Sequence, residues 1–475
     1  MRFDDLIKEI EYISYKKQND SDINDITNNS QYMDGIDTFA AIKGNVLDGH
    51  KYIEDAINKG AKTIVHSEEI DYVEGINYIK VADSRKATSD ISNILEDYPS
   101  KKMTVVGVTG TNGKTTTSSL IYFLIKEIYG KATNIGTDGA FVNGARTETP
   151  NTTPDIFFIN KVLNESLEQG IDKIVIEASS HGLYQNRLNG IEFDYGVFTN
   201  LSTEHLDYHK TMDGYFDAKM KLFEVAKVKI ANFDDPYGRK AKERFADVIS
   251  YGTKKDADYM AYDIKKFDGK TTFFVKDQKF IINTIADYEL YNSLAAITVL
   301  SQMGNDLSTI AENLVKFEGI PSRFQYIEND LGKNIVIDFA HTPVAFDSLF
   351  KSIPQDVRTY AVFGVNGDRN EEFRRLTGNI CAKNDVFVVA TTDDNKFDTF
   401  ENITNDLIKG IEEFDGDYKR IENRKEAIKW AISQANEGDY IVMLGKGEER
   451  FLKHHGNEKT YYNEYETVLE AIKEQ

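Results

Sequence analysis

The sequence predicts an α/β protein with three domains: a small N-terminal α/β domain, a central domain on a mainly parallel sheet, and a Rossmann-like C-terminal domain. Three observations lead to this fold class. The chain has 475 residues, and a domain takes about 150 residues. Short apolar runs alternate with helical stretches after residue 100, which is typical of parallel sheets. A glycine-rich loop at 110–113 joins one such run to a helical stretch.

The first domain is expected to cover residues 1–100. Its apolar runs at 38–42 and 62–65 are short, as strands of a small sheet would be. Gly35, Gly44 and Gly60 interrupt the pattern and indicate turns between the elements.

The central domain is expected to cover residues 101–318. It begins with the apolar run 103–108, and a helix is predicted over 115–128. Further apolar runs follow at 174–176, 197–198 and 228–231. Strands that alternate with helices form a mainly parallel sheet, which binds ligands at the carboxyl ends of its strands.

The C-terminal domain is expected to cover residues 319–475, where the alternation starts again. Its buried strands are predicted at 335–337, 360–363, 386–389 and 440–444. This pattern is typical of a doubly wound sheet.

The loop Gly110-Thr111-Asn112-Gly113-Lys114-Thr115-Thr116 predicts a phosphate-binding site, so the central domain resembles P-loop ATPases. Glycines let phosphate oxygens approach the backbone, the helix N-terminus supplies positive potential, and Lys114 adds a mobile charge. The hydroxyl of Thr115 would bind Mg²⁺. A strict Walker loop has glycine where this chain has Val108. The alternative is a plain turn between strand and helix.

Four further residues are candidates for chemistry. Glu177 follows the run 174–176 and is expected to be a second Mg²⁺ ligand, with a solvated surface carboxylate as the alternative. His181, His205 and His209 lie close together in sequence. The spacing of His205 and His209 could place both on one helical face, although the His-Glu-x-x-His pattern of metalloproteases is absent. Buried, hydrogen-bonded histidines are the alternative.

Composition narrows the function classes. The net charge of −21 argues against a nucleic-acid partner, because phosphate backbones are bound by basic patches. The single cysteine, Cys381, excludes an intramolecular disulfide and is expected to be a buried structural thiol. The acidic N-terminus and the absence of an 18-residue apolar run favour a cytoplasmic protein with no membrane partner.

Five sequence blocks together resemble the Mur ligases of peptidoglycan synthesis, and among them the UDP-N-acetylmuramoyl-tripeptide synthetases. The blocks are 110–116, Glu-Ala-Ser-Ser-His-Gly-Leu at 177–183, Phe-Thr-Asn-Leu-Ser-Thr-Glu-His-Leu-Asp-Tyr-His at 198–209, 215–223, and Asp-Phe-Ala-His-Thr-Pro at 338–343. The resemblance implies an ATP-dependent amide ligase that acts through an acyl phosphate. Its partners would be UDP-muramoyl-dipeptide and an amino acid, and we expect a monomer.

The resemblance also implies a role for individual residues. The catalytic residues would be Lys114, His205 and Lys219, and the family carries the last of these as a carbamate. The Mg²⁺ ligands would be Thr115, Glu177, His205 and carbamylated Lys219. ATP would contact residues 110–116, Asn292, Arg323, Asp338 and His341. The acceptor would contact Ser30, Asn151, Thr152, Thr153, Ser179 and Arg187. The amino acid would contact Arg374, Asp394, Asn395, Phe397, Gly445 and Glu449.

The sequence departs from the family where the amino acid is chosen. Diaminopimelate-adding members carry Asp-Asn-Pro-Arg, and this chain has Asp394-Asn395-Lys396-Phe397. A substrate carboxylate that lacks its bidentate arginine would lose affinity. Glu448 and Glu449 suggest an acidic pocket, with a solvated acidic loop as the alternative. We therefore expect L-lysine, or another amino acid such as ornithine, rather than diaminopimelate.

Two alternative functions stay open. The family's Asp-Ser-Arg in the first domain is replaced by Asn28-Asn29-Ser30, so a paralogue that uses a different carboxylate acceptor is one alternative. The other is a non-catalytic sensor of the nucleotide or the precursor. The intact Lys114, Glu177 and Lys219 argue against a sensor, and ATP turnover that depends on an acceptor would exclude it.

Overall fold

The computed structural model describes residues 1–44, 47–267, 269–454 and 458–475. The chain divides into two compact units. The first unit comprises Met1–Ala261 and Ser293–Asn313, and the second comprises Tyr262–Asn292 and Leu314–Gln475. The domain boundaries near residues 100 and 318 stay predictions.

The described residues of the N-terminal region form a five-stranded sheet with three α-helices. Its strands are β1 (Ser14–Lys16), β2 (Ile26–Thr27), β3 (Thr38–Ala40), β4 (Thr63–His66) and β5 (Asn77–Lys80), in the order β1-β5-β4-β3-β2. Its helices are α1 (Phe3–Glu9), α2 (Ile53–Asn58) and α3 (Ser84–Leu95). The β1–β5 pair is antiparallel and the other pairs are parallel. Apolar clusters cover the two faces, one around Ile79 and one around Tyr78, because neighbouring strand residues point to opposite sides.

The rest of the first unit is built on a nine-stranded sheet. Its strands are β6 (Thr104–Thr109), β7 (Thr133–Gly136), β8 (Gly139–Val142), β9 (Ala145–Thr147), β10 (Lys173–Glu177), β11 (Phe193–Phe198), β12 (Ala226–Asn232), β13 (Ile249–Gly252) and β14 (Tyr259–Met260). The order is β14-β13-β12-β11-β6-β10-β7-β8-β9, and the pairs β7–β8 and β8–β9 are antiparallel. The helices are α4 (Lys114–Tyr129), α5 (Ile156–Glu168), α6 (Ser180–Tyr184), α7 (Leu206–His209), α8 (Met212–Val225) and α9 (Pro236–Arg244).

Two further helices, α10 (Asp287–Gln302) and α11 (Leu307–Leu314), have residues in both units. The second unit also contains an antiparallel sheet of β15 (Tyr262–Phe267), β16 (Lys270–Val275) and β17 (Gln278–Ile282).

The main sheet of the second unit has the order β18-β19-β23-β20-β21-β22. Its strands are β18 (Gln325–Ile327), β19 (Asn334–Asp338), β20 (Thr359–Phe363), β21 (Val386–Ala390), β22 (Tyr418–Arg420) and β23 (Tyr440–Leu444), and a hairpin of β24 (Phe451–His454) and β25 (Glu458–Tyr461) follows. The helices are α12 (Pro343–Ser352), α13 (Glu371–Lys383), α14 (Phe400–Glu412), α15 (Arg424–Gln434) and α16 (Glu464–Lys473). The β18–β19 pair is antiparallel and the remaining pairs of this sheet are parallel.

The second unit confirms the predicted doubly wound pattern, because helices cover both faces of its main sheet. On β23, Val442 and Leu444 pack in one apolar cluster, and Ile441 and Met443 pack in another. Strands that are buried on both faces read as continuous apolar runs, which is the pattern that the sequence shows here. Cys381 is fully buried, as expected of a structural thiol.

Across the described residues, no helix combines the length and the apolar character that crossing a bilayer requires.

Candidate active site

The glycine-rich loop lies between β6 and α4, in the predicted strand–loop–helix setting. Gly110 and Gly113 have φ of +153° and +79°, in the region that favours glycine. A Cβ on Gly110 would lie 1.9 Å from Thr199 Oγ1. Lys114 begins α4, and its Nζ donates to Gly110 O at 3.1 Å and to Thr111 O at 2.8 Å. The loop therefore closes tightly around a lysine at a helix N-terminus, which is the arrangement that binds phosphate.

Glu177 ends β10 and is completely buried beside this loop. Its Oε2 accepts hydrogen bonds from Thr115 Oγ1 at 3.1 Å and Thr137 Oγ1 at 3.2 Å, and its Oε1 accepts one from Thr137 N at 3.0 Å. Burial raises the pKa of Glu177, while the bond from Thr137 N and the charge of Lys114 oppose the rise. A solvated surface carboxylate is therefore excluded. The carboxylate and the Thr115 hydroxyl are oxygen ligands of the kind that Mg²⁺ prefers.

Lys219 lies on α8 and is only 1% exposed. Its Nζ donates to Gly110 O at 2.6 Å and lies 4.5 Å from the centroid of the Tyr215 ring. Burial, with a further contribution from the positive charge of Lys114, lowers the pKa of Lys219 well below its ordinary value. The buried amine therefore favours its uncharged, nucleophilic form.

The three histidines come together next to Lys219. The ring centroid of His181 lies 4.9 Å from that of His205 and 5.5 Å from that of His209. The expectation that His205 and His209 share a helical face is wrong, because His205 precedes α7 in the left-handed region with φ 55°. The Nε2 of His209 hydrogen-bonds Ser180 Oγ at 3.0 Å. Burial lowers the pKa of His205. Burial also lowers the pKa of His209, to about 4.

Among the described residues, no group of three or more His, Cys, Asp or Glu side chains has a metal-binding arrangement. Hydroxyl, phosphate and water oxygens would therefore have to complete a Mg²⁺ site around Thr115 and Glu177. His205 and Lys219 stay predicted ligands.

Three of the residues predicted to bind the acceptor are joined by hydrogen bonds. Thr153 Oγ1 donates to Glu177 O at 2.6 Å and accepts from Ser179 N at 2.8 Å. Arg187 Nη1 donates to Thr153 O at 2.7 Å. This cluster therefore adjoins the end of β10, where the candidate metal ligand lies.

A cavity of about 180 Å³ lies beside this cluster, and the segment 185–187 and helix α3 both contribute to its lining. Predicted residues Asn151 and Arg187 line it. Thr152 Oγ1 instead hydrogen-bonds Thr137 Oγ1 at 3.0 Å. Ser30 is buried in a short turn after β2 and does not line this cavity.

Sequence reasoning missed two residues of this region. Thr137 directly follows β7 and hydrogen-bonds both carboxylate oxygens of Glu177, and the polar residues Thr133 and Asn134 in β7 left no apolar run to mark it. Arg85 lies in the first turn of α3 and lines the 180 Å³ cavity. No local pattern distinguishes it from a surface arginine.

In the second unit, three of the residues predicted to contact the nucleotide, Arg323, Asp338 and His341, lie around the end of β19. Asp338 accepts hydrogen bonds from Phe324 N and Ala340 N, both at 2.7 Å. Burial raises the pKa of Asp338, while the charge of Arg323 opposes the rise. The nearby residue His341 is exposed, and its Nδ1 hydrogen-bonds Phe339 O at 2.9 Å. Asn292 is buried on α10, where its Nδ2 donates to Glu289 Oε2 at 3.2 Å.

A second cavity, of about 210 Å³, opens at the carboxyl ends of β19, β20 and β23. Its lining includes His341, Asp393, Gly445 and Glu449. Three phenylalanines, Phe339, Phe346 and Phe373, supply apolar walls.

The completely buried Lys446 organises the carboxylates next to this cavity. Its Nζ lies 2.7 Å from Asp394 Oδ1, 2.6 Å from Glu449 Oε2 and 3.5 Å from Asp393 Oδ1. Burial alone would lower the pKa of Lys446, but the carboxylates outweigh it and raise the pKa. The expected acidic pocket therefore contains its own cation.

Three other residues predicted to contact the amino acid do not line this cavity. Arg374 is buried, and its Nη2 and Nη1 lie 2.7 Å from Asp398 and 3.2 Å from Asp406. Asn395 follows Asp394 in the loop after β21, and its carbonyl accepts a hydrogen bond from Asp398 N at 2.9 Å. The Phe397 side chain is 84% exposed. Their predicted roles stay predictions.

Comparisons with known proteins give the same protein family for three successive parts of the chain. Residues 22–95 match the Mur ligase family catalytic domain, residues 108–300 the Mur ligase middle domain, and residues 322–447 the Mur ligase glutamate ligase domain. The UDP-N-acetylmuramoyl-L-alanyl-D-glutamate–2,6-diaminopimelate ligase of Clostridium perfringens is 34% identical, over 98% of each chain. That of Clostridioides difficile is also 34% identical, over 98% of this chain and 99% of its own.

Solved structures show the same fold. A UDP-N-acetylmuramoyl-L-alanyl-D-glutamate–2,6-diaminopimelate ligase superposes with a TM-score of 0.72 at 28% identity, over 100% of this chain and 99% of its own. MurF ligase from Thermotoga maritima, solved in complex with ADP, gives 0.61 at 21% identity, over 95% and 97%.

The fold and the phosphate-binding loop, taken with these relatives, define an ATP-dependent ligase that forms peptide bonds. The chain belongs to the Mur ligase family.

Proposed function

We propose that this ligase adds an amino acid to UDP-N-acetylmuramoyl-L-alanyl-D-glutamate in peptidoglycan synthesis. The observation that carries the proposal is the buried pair of Thr115 and Glu177 beside the phosphate loop, in a chain that aligns over 98% of its length with ligases named for that acceptor. The first domain would bind the acceptor, the central domain ATP, and the C-terminal domain the amino acid. A monomer in the cytoplasm stays a prediction.

The reaction joins two anions, the acceptor carboxylate and the γ-phosphate of ATP, and therefore needs concentrated positive charge. Attack of the carboxylate on phosphorus would release ADP and give an acyl phosphate, from which the incoming amine would displace phosphate. Lys114 would hold the phosphates during transfer. Mg²⁺ would supply further positive charge, held by Thr115, Glu177, His205 and the modified Lys219.

We infer that Lys219 carries a carbamate. Its uncharged amine would attack CO₂ and release a proton, which turns a buried cation into an anionic oxygen ligand. ¹³C-bicarbonate should give a carbamate signal by NMR that disappears in Lys219→Arg and persists in Lys221→Arg, a substitution two residues along the same helix. A signal that survives Lys219→Arg would place the carbamate elsewhere.

We propose L-lysine or ornithine as the added amino acid, because Phe397 occupies the position of the family's diaminopimelate-binding arginine. The buried Asp393 and the partly exposed Glu449 would face a cationic side chain. Diaminopimelate is the second candidate, because the relatives are named for it.

The test is phosphate release from ATP and Mg²⁺ with UDP-N-acetylmuramoyl-L-alanyl-D-glutamate and one amino acid at a time. Turnover with lysine or ornithine alone would support the proposal, and turnover with diaminopimelate would reject the argument from Phe397. Phe397→Arg should then add diaminopimelate activity, whereas Phe414→Arg, the same change at another exposed site of the second unit, should not. Turnover only with another carboxylate acceptor would favour a paralogue, and no turnover at all a sensor.

A further inference from the structure

Two arginines line the 180 Å³ cavity of the first unit, and neither has an ion-pair partner among the described residues. Arg85 lies in the first turn of α3, and Arg187 follows α6. Within the described part of the chain, Arg85 Nη2 donates to the backbone oxygen of Lys43, at 3.4 Å. Arg187 donates to Thr153 O at 2.7 Å and to Gln185 Oε1 at 2.8 Å. Both guanidiniums are therefore bonded to neutral oxygens.

The charges around this cavity do not balance. Its lining includes one carboxylate, Asp155, which also caps α5 by accepting from Phe158 N at 3.2 Å. Burial lowers the pKa of Arg187, Asp155 opposes this effect, and the positive charge of Arg85 adds to it. Two like charges thus face one cavity with a single opposite charge, which makes the cavity attractive to an anion.

Hydrogen bonds keep the two arginines from moving apart. Ser89 Oγ on α3 donates to Asn186 O at 2.9 Å. Asn93 Nδ2 donates to Asn189 O at 3.0 Å, and Asn189 Nδ2 donates to Asp90 Oδ1 at 2.6 Å. Helix α3 and the segment 186–189 are therefore joined on both sides of Arg187. The positive charge is assembled before any ligand arrives, which lowers the entropic cost of binding.

We propose that Arg85 acts with Arg187 as a two-arginine clamp for an anionic group of the acceptor. The inference rests on the proposed function. It adds Arg85, from the first domain, to Arg187, the arginine of the central domain that is already expected to contact the acceptor. Guanidinium groups bind planar carboxylates and phosphates through paired N–H donors, and Thr88 and Asn151 line the same cavity with further polar groups.

The acceptor offers two groups of this chemistry. One is its diphosphate, and the other is the glutamate carboxylate that does not react. The clamp would orient the acceptor next to Thr153, which is hydrogen-bonded to the backbone of Glu177. Binding of either anionic group by the clamp would thus bring the glutamate carboxylate that reacts towards the phosphate loop.

The central experiment compares Arg85→Gln with Lys86→Gln, a change of the same charge at the next residue, whose Nζ pairs with Glu11 and Asp90. Loss of a charge-assisted contact should raise the KM for UDP-N-acetylmuramoyl-L-alanyl-D-glutamate about ten- to a hundredfold in Arg85→Gln. The KM for ATP and the Tm should not change, and Lys86→Gln should behave as wild type. Arg85→Lys should recover part of the affinity. An acceptor KM within twofold of wild type, or an equal rise in the KM for ATP, would overturn the clamp.

Two acceptor analogues identify the anionic group. If Arg85 binds the glutamate carboxylate, an acceptor with that carboxylate amidated should show no difference between wild type and Arg85→Gln. If Arg85 binds the diphosphate, the difference should vanish with N-acetylmuramoyl-L-alanyl-D-glutamate, which lacks it. A difference that persists with both analogues would overturn the clamp.

Calorimetry separates this inference from the proposed function. If the wild-type protein binds the acceptor but turns over with no amino acid, the proposed function is contradicted. The clamp is then tested by comparing the Kd for the acceptor between wild type and Arg85→Gln. Wild type that neither binds nor converts the acceptor would contradict both.

Discussion

Replacing Lys446 with methionine should destabilise the second unit strongly. Methionine fills the space of the buried stem but removes the cation that lies 2.7 Å from Asp394 and 2.6 Å from Glu449. Removing one partner of a buried ion pair costs about 3–5 kcal/mol, because the other charge is left uncompensated. Asp394 keeps Lys453 Nζ at 2.9 Å, and Glu449 is partly exposed to water. We therefore expect the free energy of unfolding to fall by an amount near the lower end of this range, about 3 kcal/mol.

Urea unfolding followed by tryptophan fluorescence measures this loss. Trp430 is the single tryptophan of the chain and belongs to the second unit, so its emission reports that unit. Adding Asp394→Asn to Lys446→Met should recover about 1–2 kcal/mol, because it removes a buried carboxylate whose charge the partly exposed Lys453 compensates only in part. Lys351→Met, at a mostly exposed ion pair, is the control and should leave the transition unchanged. A loss below about 1 kcal/mol, or a double variant no more stable than the single one, would refute this reasoning.

Three further outcomes are expected. Gly136→Ala should lower ATP turnover by about a hundredfold and leave the circular dichroism spectrum unchanged. The new Cβ would lie 2.0 Å from Glu177 Oε1 and would displace this carboxylate from its position beside the phosphate loop. Near-normal turnover would contradict this expectation. Burial lowers the pKa of His66, so the unfolded state binds a proton more readily and stability falls as the pH drops below about 6.5. The fall in Tm between pH 7.5 and 5.5 should therefore be smaller in His66→Gln, and equal slopes would exclude His66 as the cause. Cys381 is buried and its thiol pKa is raised, so Ellman's reagent should react with it only in urea; fast labelling of the native protein would show that the site opens.

The phosphate loop could be predicted from sequence because its geometry is local. The strand, the glycines and Lys114 are consecutive, and each enforces its own part of the turn. The place of Glu177 was predictable only in part. It ends a strand, but its position opposite Val108 depends on β10 pairing with β6, and strand order is a long-range property.

The partners of Arg374 could not be predicted in the same way. The ion pairs with Asp398 and Asp406 depend on where the loop after β21 and helix α14 pack. The exposure of Phe397 depends on that loop too, in which Lys396 has φ 51°. Side-chain positions in such a loop follow from its tertiary contacts, which spacing in the sequence does not encode.

Lys219 is a different case, because the helix around it carried a signal. Helix α8 is amphipathic, because Tyr215, Phe216, Met220 and Leu222 are buried whereas Asp213, Asp217 and Glu224 are exposed, and Lys219 lies among its buried residues. A lysine on such a buried face must lose its charge, pair with an anion or acquire one. The sequence alone did not say which.

The contacts of Lys219 with the phosphate loop bear on which of these three outcomes is favoured. Lys114 and Lys219 both donate to the Gly110 carbonyl, at 3.1 Å and 2.6 Å, so two amines share one acceptor. Like charges this close disfavour each other, and the positive charge of Lys114 adds to the burial that lowers the pKa of Lys219. A carbamate on Lys219 would reverse the sign of that interaction and turn repulsion between the lysines into attraction. The arrangement that makes the amine reactive would then also stabilise the product, and Lys114→Met should therefore weaken the ¹³C-carbamate signal of Lys219. A signal of undiminished intensity would show that the charge of Lys114 does not hold the carbamate in place.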